Sequence, residues 1–138
     1  VVANKEIINY LIQKAKTYIY TTASSPAISC GIITSLRIIK EGKKLRNNIL
    51  KSINLLRDKI ENKILIGKSI TAIQPIFIND TIKSIKISEK LLKEGFYVPV
   101  IRPPTVPKKT SRLRISISAL HEPKVILRLA ELINLKTK

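Results

Sequence analysis

Ile101-Arg-Pro-Pro-Thr-Val-Pro107 runs straight into Lys108-Lys-Thr-Ser-Arg-Leu-Arg-Ile-Ser-Ile-Ser-Ala-Leu-His121. Each proline fixes its own φ and restricts the residue before it, so the first half reads as a stiff loop. The second half alternates without a break: Arg112, Arg114, Ser116 and Ser118 fall on one side, Leu113, Ile115 and Ile117 on the other. A period of two marks a strand with one buried face. The pattern predicts a strand over 112–118 that carries two guanidinium groups, two residues apart, on its outer side. Arg presents a fixed fork of donors suited to a carboxylate or phosphate. This face is therefore the first candidate for an anion site.

Outward from that stretch, Phe96-Tyr-Val-Pro-Val-Ile101 reads as a short strand entering the proline loop. Ala72-Ile-Gln-Pro-Ile-Phe-Ile78 is a second β-rich run, and Pro75 assigns it to an edge or a strand end. Asn79-Asp80 caps a predicted helix over 81–94, ended by Gly95. Glu122 to Leu135 closes the chain as a helix with Val125, Ile126, Leu129, Ala130, Leu132 and Ile133 apolar. Upstream, Ile8, Leu11, Ile12, Ala15 and Ile19 predict a helix over 5–19, and the hydroxyl-rich run to Pro26 is a loop. A long helical region follows from Pro26 to about Asn62. Leu45, Ile49, Ile53, Leu56 and Ile60 form its stripe, and Gly42 marks a bend. From residue 72 the order is strand, helix, strand, strand, helix. That order gives an α+β class: a mostly antiparallel sheet covered by helices on one side.

The chain has 138 residues, 44% of them hydrophobic, enough for one ordinary domain with a core. No apolar run reaches membrane-spanning length, and the opening Val-Val-Ala-Asn-Lys-Glu lacks the order of a secretory signal. A cytoplasmic protein with no membrane partner is expected. Cys30 has no partner for an internal disulfide and reads as a small buried residue. The lone His121 excludes a histidine-rich metal site within the chain. The absence of Met, even at position 1, leaves two readings, a processed chain or a piece of something longer, and the second is the expectation.

The formal charge of +17 invites a nucleic-acid reading. Composition supplies a competing cause. Ile (26), Lys (19) and Asn (8) account for 53 of 138 residues, all three with A+T-rich codons, and Lys outnumbers Arg 19 to 7. Drift of that kind spreads lysines over every exposed face. Nucleic-acid binders instead concentrate charge and add stacking aromatics; here there are two Phe, four Tyr and no Trp.

Ile101-Arg-Pro-Pro-Thr-Val-Pro107, Thr110, Arg112-Leu-Arg114 and Ser118-Ala-Leu-His121 closely resemble the C-terminal signature of the α-oxoamine synthases, a family of pyridoxal-phosphate-dependent acyltransferases. Other stretches resemble family segments in the right order. Tyr18-Ile-Tyr-Thr-Thr-Ala23 with Pro26-Ala27 is similar to the segment after the cofactor-bearing region. Ile73-Gln-Pro-Ile-Phe-Ile78 with Asp80 is similar to the strand entering the small domain, and Val1-Val-Ala3 to the strand just past the catalytic lysine. The resemblance is collinear and covers essentially the whole chain.

It implies the C-terminal small domain (33–138) of a fold-type I transferase, preceded by the end of the large, cofactor-binding domain (1–32). It implies pyridoxal 5′-phosphate as cofactor, on a Schiff-base lysine upstream of Val1, so that no catalytic residue lies in the chain and the piece alone is inactive. The doubled proline of Arg102-Pro-Pro-Thr105 resembles the branch that condenses L-alanine with a pimeloyl thioester (pimeloyl-CoA or pimeloyl-carrier protein) in biotin biosynthesis. Sister branches, of the glycine C-acetyltransferase or 5-aminolevulinate synthase type, and a non-enzymatic basic nucleic-acid-binding module are the alternatives. By resemblance, Arg114 binds the amino-acid carboxylate, Thr105 contacts substrate and Arg102 faces the acyl substrate. Arg112 is structural or at the rim. Thr21 and Thr22 reach the cofactor phosphate of a neighbouring subunit, which implies a homodimer with shared active sites. The family usually has Gly where Lys109 stands, often Gly where Asn79 stands, and usually Leu-Pro-Pro where Ser24-Ser25-Pro26 stands; a lysine in that turn carries a cost if its φ is positive, which Asn tolerates better.

Overall fold

The computed structural model describes residues 2–137. In chain order these form α1 (Lys5–Lys14), α2 (Lys16–Ile19), α3 (Pro26–Glu41), α4 (Lys43–Lys59), a 3-10 turn (Lys63–Leu65), β1 (Ile73–Phe77), α5 (Thr81–Lys93), β2 (Val100–Ile101), β3 (Arg112–Ser116) and α6 (Pro123–Thr137). They divide into two compact units, up to Glu41 and from Gly42 onward.

The second unit is organised by β3. It is the middle strand of a three-stranded sheet in the order β1-β3-β2, antiparallel to both neighbours. Its alternation is real: Leu113, Ile115 and Ile117 are 0, 3 and 5% exposed, while Arg114, Ser116 and Ser118 face water. Helices α4, α5 and α6 cover the apolar face. Ile53, Leu56 and Ile60 of the α4 stripe, Ile87 and Leu91 of α5, and Ile126, Leu129 and Ile133 of α6 close one core with the sheet. The sheet is covered on one side, as its pattern of apolar residues dictates.

The expected punctuation appears where the chain needs it. The Asp80 carboxylate accepts from the Lys83 amide at 2.7 Å and so caps α5. Gly95, at φ 86°, ends that helix: the Phe96 amide donates to the Leu91 carbonyl and the Gly95 amide to that of Leu92, each at 2.9 Å. Pro75 lies in β1, an edge strand, where its missing N–H costs no ladder bond to β3. Gly42 separates α3 from α4.

In the first unit the helix expected over 5–19 breaks at Ala15, whose ψ of 100° leaves the helical region. No described residue of this unit is buried. Cys30, expected inside, is exposed on α3, because these helices do not by themselves enclose a core. Val1 lies outside the described residues, and Val2 and Ala3 form no strand; the described residues of this unit include no strand for them to pair with.

Candidate functional site

Register decides which side chains share the outer face of the sheet. Pro75 stands opposite Arg114, Phe77 opposite Arg112, and Ile101 opposite Arg112 from the other side. The two arginines thus begin as equals, and their neighbours separate them. The Arg112 guanidinium sits over the Phe77 ring, 4.5 Å from its centroid. It also donates from Nε to the Thr110 carbonyl (3.0 Å) and from Nη2 to Thr110 Oγ1 (3.2 Å). Arg112 is half-buried and its fork is used. Arg114 is exposed, and no described residue holds its guanidinium by a hydrogen bond or ion pair. Its amide alone is engaged, on the Pro99 carbonyl at 2.9 Å.

The proline loop is a pair of tight turns. The Thr105 amide donates to the Arg102 carbonyl at 3.1 Å, across a cis Pro103–Pro104 peptide. Pro107 and Thr110 close the second turn, with the Thr110 amide at 3.3 Å and its hydroxyl at 2.7 Å from the Pro107 carbonyl. The first turn brings Arg102 and Thr105 together; both are exposed, and neither side chain has a described hydrogen-bond partner. Lys109 has φ 62° and Asn79 φ 63°, so both positions expected to favour glycine are left-handed. The two turns are joined through Ser111, wholly buried, whose carbonyl accepts from the Ile78 and Asn79 amides.

Thr21 and Thr22 lie in the first unit, in the loop between α2 and α3. Both are exposed and line a shallow cavity of about 540 Å³ with Ile12, Tyr18, Ile19 and Ser24. The Thr21 hydroxyl donates only to the Thr22 carbonyl, at 3.4 Å. His121 closes the turn before α6, its Nδ1 accepting from the Ser118 amide at 3.2 Å. Among the described residues no group of His, Cys, Asp or Glu is placed to hold a metal ion, and no helix is long and apolar enough to cross a membrane.

Sequence reasoning missed a part-buried polar network around Gln74 of β1. Arg57 Nη1 donates to the Gly67 carbonyl and to Gln74 Oε1, both at 2.9 Å, and to the Ser69 carbonyl at 3.3 Å. Gln74, 1% exposed, returns its amide to the Ser69 and Thr71 carbonyls. The available signal was Gln74 itself, a polar residue at an inward position of a predicted strand, which burial obliges to find partners.

The model of the aminotransferase class I and II family matches residues 1–133, and the chain belongs to that family. Among curated relatives, the chain is 46% identical over 124 residues to the 8-amino-7-oxononanoate synthase of Dechloromonas aromatica, a match covering 88% of this chain and 32% of the relative. To that of Chromobacterium violaceum it is 42% identical over 118 residues, 86% of the chain and 31% of the relative. The chain spans about a third of the length of the curated relatives it matches. The crystal structure of 8-amino-7-oxononanoate synthase from Francisella tularensis superposes with a TM-score of 0.83 at 26% identity, over 97% of this chain and 39% of that one. Serine palmitoyltransferase from S. paucimobilis shares the fold, with a TM-score of 0.84 at 24% identity. The α+β arrangement is thus part of a fold-type I architecture. Lysines meanwhile sit exposed on five different helices, as Lys5, Lys40, Lys51, Lys86 and Lys124.

Proposed function

We propose that this chain is the C-terminal third of an 8-amino-7-oxononanoate synthase, which condenses L-alanine with a pimeloyl thioester, and that its second unit supplies the carboxylate-binding wall of the active site. The observation that carries the reading is the division of labour on β3. One forked cation is spent on Thr110 and Phe77; the other, Arg114, projects from a rigid middle strand with its donors free. A bidentate grip by such a fork fixes a carboxylate in plane and direction. It therefore fixes the α-carbon attached to that carboxylate. Thr105 and Arg102, presented by the first turn of the loop, take the substrate contacts, with Arg102 toward the acyl chain.

Pyridoxal phosphate, when bound, supplies the electron sink that makes the α-carbon of the amino acid nucleophilic. This chain's own contribution to holding it is the Thr21–Thr22 pair. Two adjacent, exposed hydroxyls with no strong internal partner suit phosphate oxygens, and so they fit the group. In this reading they serve the neighbouring subunit of a homodimer. Residues 1–32 then end the large domain and 33–138 form the small one. The lysine that carries the cofactor lies outside the chain, which alone has no turnover; the whole enzyme works in the cytoplasm.

The test is made in the full-length protein. Arg114→Ala removes two charge-assisted hydrogen bonds, about 3 kcal/mol together, and raises KM for L-alanine about 100-fold with the cofactor absorbance intact. An unchanged KM removes Arg114 from the site. Preferred turnover of glycine with acetyl-CoA would replace the substrate assignment.

A further inference from the structure

We propose that Arg112 is a positioning residue for the substrate loop, the last link of a stack that runs Arg57, Gly67, Phe77, Arg112, Thr110. Each link is a contact on the outer side of the sheet or beside it. Arg57 holds the Gly67 carbonyl at 2.9 Å, and the Gly67 amide donates to the Pro75 carbonyl at 3.1 Å. These bonds lay the Gly67 backbone flat against the β1 side chains. A Cβ at residue 67 would come within 2.7 Å of Pro75 Cγ and 2.8 Å of Phe77 Cε2, so the close approach needs glycine. Phe77 is thereby held from one edge, and its face carries the Arg112 guanidinium. The planar fork of Arg112 then takes both the carbonyl and the hydroxyl of Thr110.

Thr110 is where this matters. Its amide and hydroxyl both close the turn on Pro107, and that turn contains Lys109 in a conformation that L-residues disfavour. A turn with an internal cost needs an outside hold to keep one conformation. Arg112 is that hold. It fixes the downstream end of the loop that presents Arg102 and Thr105, and by committing its own donors it leaves Arg114 as the face's free fork. Lysine would carry the same charge over Phe77 but has no planar pair of donors for Thr110.

The inference rests on the proposed role of Arg114 for its effect on substrate, but not for its effect on the loop. The experiment compares Arg112→Lys, Phe77→Leu and Arg114→Ala in the full-length protein, reading KM and kcat for L-alanine, amide exchange at Thr110, and thermal midpoint. Arg112→Lys is expected to speed exchange at Thr110 and to raise KM, each about tenfold, with kcat and midpoint close to the parent. Phe77→Leu moves the same two readouts in the same direction. A merely structural role would lower the midpoint and the active fraction and leave KM alone. Unchanged exchange at Thr110 in Arg112→Lys overturns the hold. A KM raised by Arg114→Ala but not by Arg112→Lys overturns the positioning role and keeps the site. If Arg114→Ala leaves KM unchanged, the site reading fails, and exchange at Thr110 alone decides the hold.

Discussion

Replacing Lys109 by glycine should stabilise the protein, which is an unusual expectation for a substitution that removes a whole side chain. Lys109 has φ 62° in the Pro107–Thr110 turn. In the left-handed region a Cβ crowds the following carbonyl, at a cost of about 1–2 kcal/mol per residue. Glycine removes that cost but adds about 0.5–1 kcal/mol of unfolded-state entropy. The difference is a gain of about 0.5–1 kcal/mol. For a unit of about 100 residues this raises the thermal midpoint by about 2–8 °C. The turn's own bonds, from the Thr110 amide and hydroxyl to Pro107, involve no atom of the lost side chain. Urea and thermal unfolding of Lys109→Gly beside Lys109→Ala provides the assay. Alanine keeps the Cβ, so it keeps the crowding and gains nothing. If alanine stabilises as much as glycine, the benefit comes from relieving charge beside Lys108 in a chain of net charge +17, and the strain argument is refuted. Asn79→Gly, at φ 63°, should gain less than Lys109→Gly, because asparagine tolerates this region better.

Gly67→Ala forces a methyl into Pro75 and Phe77 at 2.7 and 2.8 Å and should cost about 1–3 kcal/mol in urea unfolding; it should also loosen Thr110 in amide exchange. An unperturbed variant would show that the Gly67 segment is free to move off the sheet. Asp80→Ala removes the acceptor for the Lys83 amide and should cost about 1 kcal/mol, with the loss of protection concentrated in the first turn of α5. Equal loss along the whole helix would argue that Asp80 does more than cap.

Period and punctuation made most of the second unit legible. The alternation of 112–118 fixed which face of β3 is buried, and Pro75 located the sheet edge, because a strand buried on one side and a proline without an N–H leave few alternatives. Gly95 and Asp80 ended and began α5 for reasons local to the backbone. The first unit was less legible. Helical spacing found α1, and the long helical region from Pro26 took in α3, but spacing does not say whether a stripe is covered, and Cys30 was assigned to an interior that these residues do not form. Of the site, the loop and the two arginines were readable. Their unequal surroundings were not readable from alternation alone, which treats 112 and 114 alike. The difference arises from cross-strand register, which sets Phe77 against Arg112 and Pro75 against Arg114. Proline offers no aromatic face, so Arg114 has nothing on β1 to rest on.

In a chain where lysine outnumbers arginine 19 to 7, the arginines indicate where a fork is needed and a point charge is not enough. Arg57 reaches three acceptors around Gly67 and Gln74, all from Nη1. Arg112 uses its fork on Thr110 and Phe77, and Arg128 reaches Glu94 at 3.2 Å and Glu131 at 3.6 Å. In each case the acceptors belong to the protein, and the arginine is half-buried or paired. Arg114 stands on the same middle strand, yet among the described residues its guanidinium has no hydrogen-bond or ion-pair partner. A lysine would serve a solvated outer face as well, and compositional drift toward lysine would favour it. An exposed arginine on the middle strand, its guanidinium without a described partner, is what the proposed carboxylate site requires, since a planar anion matches two parallel donors.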